Sequence, residues 1–288
     1  MKSKSSVHGK LMLFGEHAVI YGYPCIVMTV LPRVYVEVEK TSGPLKIEAP
    51  QVKDTIFVEE AVKQFCEKYK VDNKILIKTS SDFSSNYGFG SSSAVTVATI
   101  RALSKLYKIN ISKKEIFDLG YKVVLNIQGV GSGFDIASAT FGGTLYFVTA
   151  GKIIETLSVK YVPLVIGYSG TKASTTKIVK DLKPNFKIFN DIKKIVEEAK
   201  ISLVNSDWKR TGELMNQNHK LLQELGVSTE KLDNMCFSAV SAGAYGAKLS
   251  GAGGGDCMIA LTPKNKIKNV ESAIINAGGE IINAKINV

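Results

Sequence analysis

No stretch of this chain is apolar for long enough to cross a bilayer, so a helical membrane protein is not expected. No apolar segment with a small-residue cleavage site follows the basic start Met1-Lys2-Ser3-Lys4, so a secretory leader is not expected either. The four cysteines, Cys25, Cys66, Cys236 and Cys257, form no C-x-x-C pair. They read as reduced thiols in or near the core of a cytoplasmic protein. Internal repeats and low-complexity segments are absent. Lysine is plentiful, but no run is densely basic and no aromatic-studded RNA motif occurs.

The 288 residues suffice for one large domain or two ordinary ones, and 45% hydrophobic with 22% charged residues is a soluble globular composition. The net charge is +11, from 37 Lys and Arg against 26 Asp and Glu. Three readings of that excess stand in order. The first is a lysine-rich proteome filling solvated faces. The second is an enzyme whose substrates are all anions, helped by a positive field. Nucleic-acid binding comes last.

Apolar runs predict strands at Lys10–Phe14 and Cys25–Val30, and alternation predicts one at Val34–Val38. Helical periodicity covers Thr55–Tyr69, and Lys74–Lys78 alternates like a strand. Helices are expected over Ala94–Tyr107 and Lys113–Ile127, the second with Ser112 as N-cap. A glycine-rich turn through Gly129, Gly131 and Gly133 leads to Asp135, with strands at Thr144–Val148 and Ile153–Leu157. After a strand at Pro163–Tyr168, a helix-rich stretch covers Ala173–Gly243. Strands at Ala247–Leu249 and Asp256–Leu261, a helix over Ile267–Ala277 and a strand over Gly279–Ile286 close the chain. The pattern is α+β in two parts, 1–160 and 161–288.

The most informative segment is Gly88 to Ala94, GFGSSSA, which opens the first of the two adjacent helices. A glycine turn lets the backbone fold close around an anion, and the free N–H groups and dipole of the helix start favour negative charge there. Serine hydroxyls add donors for phosphate oxygens and a possible Mg²⁺ ligand. No Gly-Lys-Ser/Thr follows, so this is not a Walker A loop. The context is not that of a protein-kinase glycine loop either. A Gly/Ser helix cap alone is more often a packing device.

Two further glycine loops change that weighting. One runs GKLMLFGEHAVIYG from Gly9 to Gly22, and the other KLSGAGGGDC from Lys248 to Cys257. The three together, in this order over nearly the whole chain, resemble the three motifs of the GHMP kinases. The second motif departs from that family's P-x-x-x-G-L-G-S-S-A-A, with Phe89 for the leucine and Ser84 where the proline falls. The first motif, with the stretch from Met215 to Leu222, looks most like the mevalonate-kinase branch. Gly131 to Asp135 and Ser250 to Cys257 look like the phosphomevalonate kinases, which form the alternative, ahead of other small-molecule members.

The resemblance implies an N-terminal α+β domain with a left-handed crossover and a C-terminal ferredoxin-like sandwich, with the active site in the cleft between them. It implies ATP and Mg²⁺ as cofactors and mevalonate phosphorylated on its C5 hydroxyl, with no nucleic-acid or membrane partner and a possible homodimer. Asp135 aligns with the catalytic aspartate, which accepts or orients the hydroxyl proton, and Lys10 with the motif lysine that balances charge. Gly88, Phe89, Gly90, Ser91, Ser92 and Ser93 align with the phosphate loop, with Ser92 as the Mg²⁺ ligand. Ser250, Gly251, Ala252, Gly253 and Gly254 align with the loop that completes the triphosphate enclosure. Glu16, His17, Thr171 and Ser174 align with acceptor-binding positions, and Lys172 and Lys177 could supply charge for a phosphorylated acceptor.

Each residue has a plainer reading: Asp135 a helix cap, Lys10 a surface lysine, the glycines tight turns, Glu16 and His17 a polar loop pair. His219 reads as structural. Retention of Lys10, Ser92 and Asp135 argues against a catalytically dead protein of the same fold. One departure stands out. Val124 falls where mevalonate kinases usually carry a metal-binding glutamate, and Asn126 is the nearest oxygen donor on that helix. Either Ser92, phosphates and water hold the metal, or the alignment slips there.

Overall fold

A computed structural model describes residues 1–159 and 161–284. The first sheet grows from one long strand. β1 (Lys2–Phe14) runs antiparallel along the whole of β2 (Pro24–Lys40). The other edge of β2 is shared: its first residues, Pro24–Met28, pair with β5 (Thr144–Val148), and Val34–Lys40 pair with β4 (Ile75–Ser81). β3 (Lys46–Glu48) extends the sheet beyond β4 and β6 (Ile153–Leu157) beyond β5. The expected strands at 25–30 and 34–38 are therefore one. Pro32 does not interrupt it because neither β4 nor β5 pairs with residues 29–33, so its missing N–H costs no ladder bond there. Against β1 the register slips: His8 pairs with Arg33 and Lys10 with Thr29, so the extra residues bulge out of β2 around Pro32.

Of the four helices in this half, the second and fourth pack on the sheet and the first and third pack on the second. α1 (Ile56–Tyr69) buries Val58, Ala61, Val62 and Phe65 at helical spacing. α2 (Ser91–Leu106) starts three residues before the expected Ala94, because the serines form its first turn. α3 (Lys113–Gln128) opens on a capping box between Ser112 and Glu115. α4 (Phe134–Phe141) is a helix where only a turn was expected.

The second sheet orders β10 (Glu280–Ile281), β7 (Leu164–Tyr168), β9 (Cys257–Leu261) and β8 (Gly246–Ser250), all antiparallel. Numbered within this half the order is 4-1-3-2, with helices after its first and third strands, which is the ferredoxin-like arrangement. The expected α+β architecture with two sheets is borne out. Between β7 and β8 lie α5 (Thr175–Asp181), α6 (Phe186–Val204), α7 (Trp208–Glu224) and α8 (Glu230–Ser241), and α9 (Ile267–Asn276) precedes β10. The expected last strand is short. Its proposed end, Ile286, and the expected boundary residue Lys160 lie outside the described residues.

The halves are stitched by α6, which packs on β2. Phe189 stacks on Tyr21 with ring centroids 4.9 Å apart, and the Tyr146 hydroxyl donates to Glu197 at 2.8 Å. No helix among the described residues is long and apolar enough to cross a membrane.

The tightest approach joins α7 to β8. A Cβ on Gly246 would lie 1.9 Å from the carbonyl oxygen of Gly212, so helix and strand touch backbone to backbone. Gly246→Ala should therefore lower unfolding free energy by more than about 2 kcal/mol. A denaturant midpoint within error of the wild type would show that α7 can move away at no cost.

Candidate active site

β1, α2, α4 and the loop before β9 converge on a cavity of about 930 Å³. At its floor, Lys10 Nζ lies 2.9 Å from Asp135 Oδ1 and 5.0 Å from the centroid of the Phe134 ring. Lys10 lies on β1 opposite the bulge of β2, and Asp135 occupies the first turn of α4. The lysine is nearly buried and the carboxylate one-third exposed, so the pair faces the cavity on the carboxylate side. Asp135 Oδ1 has no aligned hydrogen-bond donor. The contact is an ion pair without an aligned hydrogen bond.

Gly90 brings the backbone of the glycine–serine loop against this pair. Its φ is +71°, and a Cβ there would lie 2.9 Å from Lys10 Cε and 3.4 Å from Asp135 Oδ1. The loop is fastened to β1 by the Lys10 N–H, which donates to Phe89 O at 2.9 Å. No side chain caps α2, so its first N–H groups remain free beside the cavity. Gly88, Ser91, Ser92 and Ser93 line the wall with Gly90. Phe89 does not: its side chain is buried against Phe83 and Tyr87 and anchors the loop from behind.

The third loop divides similarly. Ser250, Gly251 and Ala252 reach the cavity, while Gly253 and Gly254 pack outside its lining against Val227 and Ile178. The Ser250 hydroxyl brackets Met12, accepting from its N–H at 3.1 Å and donating to its carbonyl at 2.9 Å. Ser250 thus ties the two sheets together as well as lining the site.

His17 lines the cavity and Glu16 does not. The His17 ring bonds Ala252 O through Nε2 at 2.9 Å, so Nε2 carries the hydrogen and the buried Nδ1 is left as an unpaired acceptor. Burial pushes this histidine below its usual pKa, which favours the neutral ring. Glu16 is fully buried against Lys248, whose ammonium also donates to Leu249 O at 2.6 Å. Burial raises the Glu16 pKa and lowers that of Lys248, while each partner opposes the shift. Lys248 was not singled out from sequence. Its signal was there: a lysine inside the short apolar strand Gly246–Ser250 must find a partner.

Thr171 and Ser174 lie outside the cavity lining, which here takes Lys172, Ala173, Thr175 and Thr176 from the same segment. Asp256, also unflagged, positions that segment. Its carboxylate accepts from the Ala173 N–H at 3.0 Å and sits 3.3 Å from Lys172 Nζ. Its N–H donates to Thr171 O at 2.8 Å. Lys177 is not among the lining residues. Val124 is, and it offers an apolar wall, while Asn126 turns to Glu60 at 2.6 Å. His219 is buried beside Asp233, with burial pulling its pKa down to about 4, and it accepts from the Leu249 N–H at 3.3 Å. It supports β8 rather than the cavity.

Removing one partner of a buried ion pair leaves the other charge unsolvated. Lys248→Met should cost about 3–5 kcal/mol in urea unfolding, and adding Glu16→Gln should recover part of that loss. Additive losses in the double variant would mean the two side chains are not coupled.

The sequence profile described as the GHMP kinases N terminal domain matches residues 56–143, and that of the GHMP kinases C terminal domain matches residues 195–280. A mevalonate kinase of Thermococcus sibiricus is 36% identical, over 100% of this chain and 97% of the relative. The crystal structure of the Methanococcus jannaschii mevalonate kinase superposes with a TM-score of 0.86 at 28% identity, covering 100% of this chain and 98% of the other. That of L. major mevalonate kinase in complex with R-mevalonate gives 0.81 at 26% identity, covering 95% and 91%.

Proposed function

This chain belongs to the GHMP kinase family, and on that premise we propose that it is a mevalonate kinase. It transfers the γ-phosphoryl group of ATP to the C5 hydroxyl of (R)-mevalonate, giving ADP and 5-phosphomevalonate for isoprenoid synthesis. The observation that carries this reading is the Lys10–Asp135 pair, held against the backbone of Gly90 at the floor of one cavity. Phosphoryl transfer needs positioning and charge neutralisation more than a strong base.

The free N–H groups at the start of α2 and the hydroxyls of Ser91, Ser92 and Ser93 bind phosphate oxygens, with Gly251 and Ala252 closing the opposite side. Asp135 orients the attacking hydroxyl and takes its proton. Lys10 then offsets the charge that builds on the transferring group. His17, which lines the cavity, orients a hydroxyl of the acceptor.

The residues present suit Mg²⁺ held largely by the nucleotide. Ser92 and Asp135 line the cavity and Val124 adds no donor, a set that matches the habit of Mg²⁺ of keeping water and phosphate ligands. When bound, such an ion would offset negative charge on the nucleotide's phosphates.

The acceptor side favours mevalonate over its phosphate ester. Lys172 reaches the cavity, but its charge is matched by Asp256. The division into domains 1–160 and 161–288 is part of the same proposal. It is supported by the end of one sheet at Leu157 and the start of the other at Leu164. A cytoplasmic location is supported by four unpaired cysteines, and a homodimer by the family resemblance alone.

A coupled ADP-release assay over mevalonate, phosphomevalonate, homoserine and galactose tests the reading. Mevalonate should turn over fastest, and faster turnover of phosphomevalonate would replace it with the alternative. Asp135→Asn keeps the shape but removes the charge. Its kcat should fall by about two orders of magnitude or more, with little change in ATP affinity. Near-normal kcat in the folded variant would place the transfer chemistry elsewhere.

A further inference from the structure

A second lysine–aspartate pair sits on the same glycine turn as the first. Lys172 Nζ lies 3.3 Å from Asp256 Oδ1. A Cβ on Gly88 would lie 3.1 Å from Asp256 Oδ2, much as one on Gly90 would lie 2.9 Å from Lys10 Cε. The turn Gly88-Phe89-Gly90 is thus flanked by Lys172–Asp256 at one glycine and by Lys10–Asp135 at the other. Lys53 and Asp54 complete the ionic lining of the cavity, beside a His17 ring whose neutral form burial favours. Three lysines therefore meet three aspartates. A chain of net charge +11 presents a charge-balanced wall where its most anionic ligands are to bind.

The partners of the second pair are held differently. Asp256 is buried and fixed: its Oδ1 accepts from the Ala173 N–H at 3.0 Å, and its own N–H donates to Thr171 O at 2.8 Å. Its backbone is left-handed at φ +56°, a region that Asp and Asn tolerate better than most side chains. The Lys172 side chain is 43% exposed, and its 3.3 Å contact is longer than the about 2.7–2.9 Å of a charge-assisted hydrogen bond. The ammonium is attracted to Asp256 without being tightly bonded to it. A phosphate dianion on the loop would offer it about two negative charges and three acceptor oxygens. Against that exchange stands the cost of leaving a buried carboxylate without its counter-charge. We propose that Lys172 is a phosphate ligand withheld by Asp256, and that Asp256 thereby sets how much negative charge the site accepts. The ligand is a terminal phosphate dianion, whether of the nucleotide or of a phosphorylated acceptor. This inference rests on the phosphoryl-transfer reading above and deepens it, because it makes one carboxylate responsible for the preference against a phosphorylated acceptor.

The test is calorimetric binding of ADP, mevalonate and 5-phosphomevalonate, each alone, to wild-type protein, Asp256→Asn, Lys172→Met and the double variant. Asp256→Asn keeps an oxygen for the Ala173 N–H and removes the charge. It should tighten binding of a phosphate-bearing ligand by about tenfold, and most of that gain should vanish when Lys172→Met is added. A gain confined to 5-phosphomevalonate would support the proposal with the acceptor's phosphate as the source, and one confined to ADP would support it with the nucleotide's. Unchanged or weaker binding of both in folded Asp256→Asn would overturn it. A gain that persists without Lys172 would show only relief of repulsion and overturn the role of the lysine. An equal gain for mevalonate, which carries no phosphate, would overturn the charge selection. If Asp256→Asn does not fold, Lys172→Met decides: it should weaken the same ligands by about threefold or more, and unchanged binding would overturn the proposal. If ADP binds and neither mevalonate nor its phosphate does, the mevalonate reading falls while the ADP series still tests Lys172.

Discussion

The buried contact between Glu16 and Lys248 is the constraint on which the rest of the site depends. The two residues lie 232 positions apart, and neither side chain is solvent-accessible. Their desolvation is tolerable only if the ammonium and carboxylate stay together, so the turn after β1 cannot drift from β8. Ser250 holding Met12 and His17 holding Ala252 repeat the connection on either side. β1 is therefore pinned to both halves of the molecule, and β1 carries Lys10.

From that anchorage the floor of the cavity follows. Lys10 lies on β1 opposite the bulge of β2 and reaches Asp135 of α4, and its N–H holds the glycine–serine loop through Phe89. Phe89 is where the loop meets the core, between Phe83 and Tyr87. Gly90 is then so close to Lys10 that no side chain fits. The bare glycine leaves both the ion pair and the helix start open to one ligand. Asp256 does the equivalent work on another wall of the cavity, fixing the segment from Thr171 to Ala173.

Some of this was legible in residues close together in sequence. The GFGSSSA run announces a helix start without a side-chain cap, and Ser112 with Glu115 announces the next helix. Lys10 and Asp135 each stand at a motif position, and the cavity contains both. Other features escaped for identifiable reasons. α4 is only eight residues long and follows three glycines, so its periodicity is too brief to register. Glu16 aligns, with His17, with a substrate-binding position of the family's first motif, but the tight turn with His17 at φ +61° sends the two side chains different ways. Thr171 and Ser174 gave place to Lys172, Ala173, Thr175 and Thr176 because Asp256 sets how that segment lies.

The sequence by itself determined the local chemistry: three glycine loops, their order, a lysine and an aspartate suited to phosphoryl transfer, and the periodicities of most strands and helices. These depend on neighbours within a few residues, where backbone geometry and side-chain type suffice. Only the tertiary structure decided which groups meet. That Lys248 finds Glu16, that Asp256 faces Lys172, and that Gln51 fills the open edge at Ser81 are pairings between residues 30 to 232 positions apart. Nothing local specifies them. They are fixed because a buried charge or an unpaired backbone group must be satisfied by whatever the packed chain brings within reach.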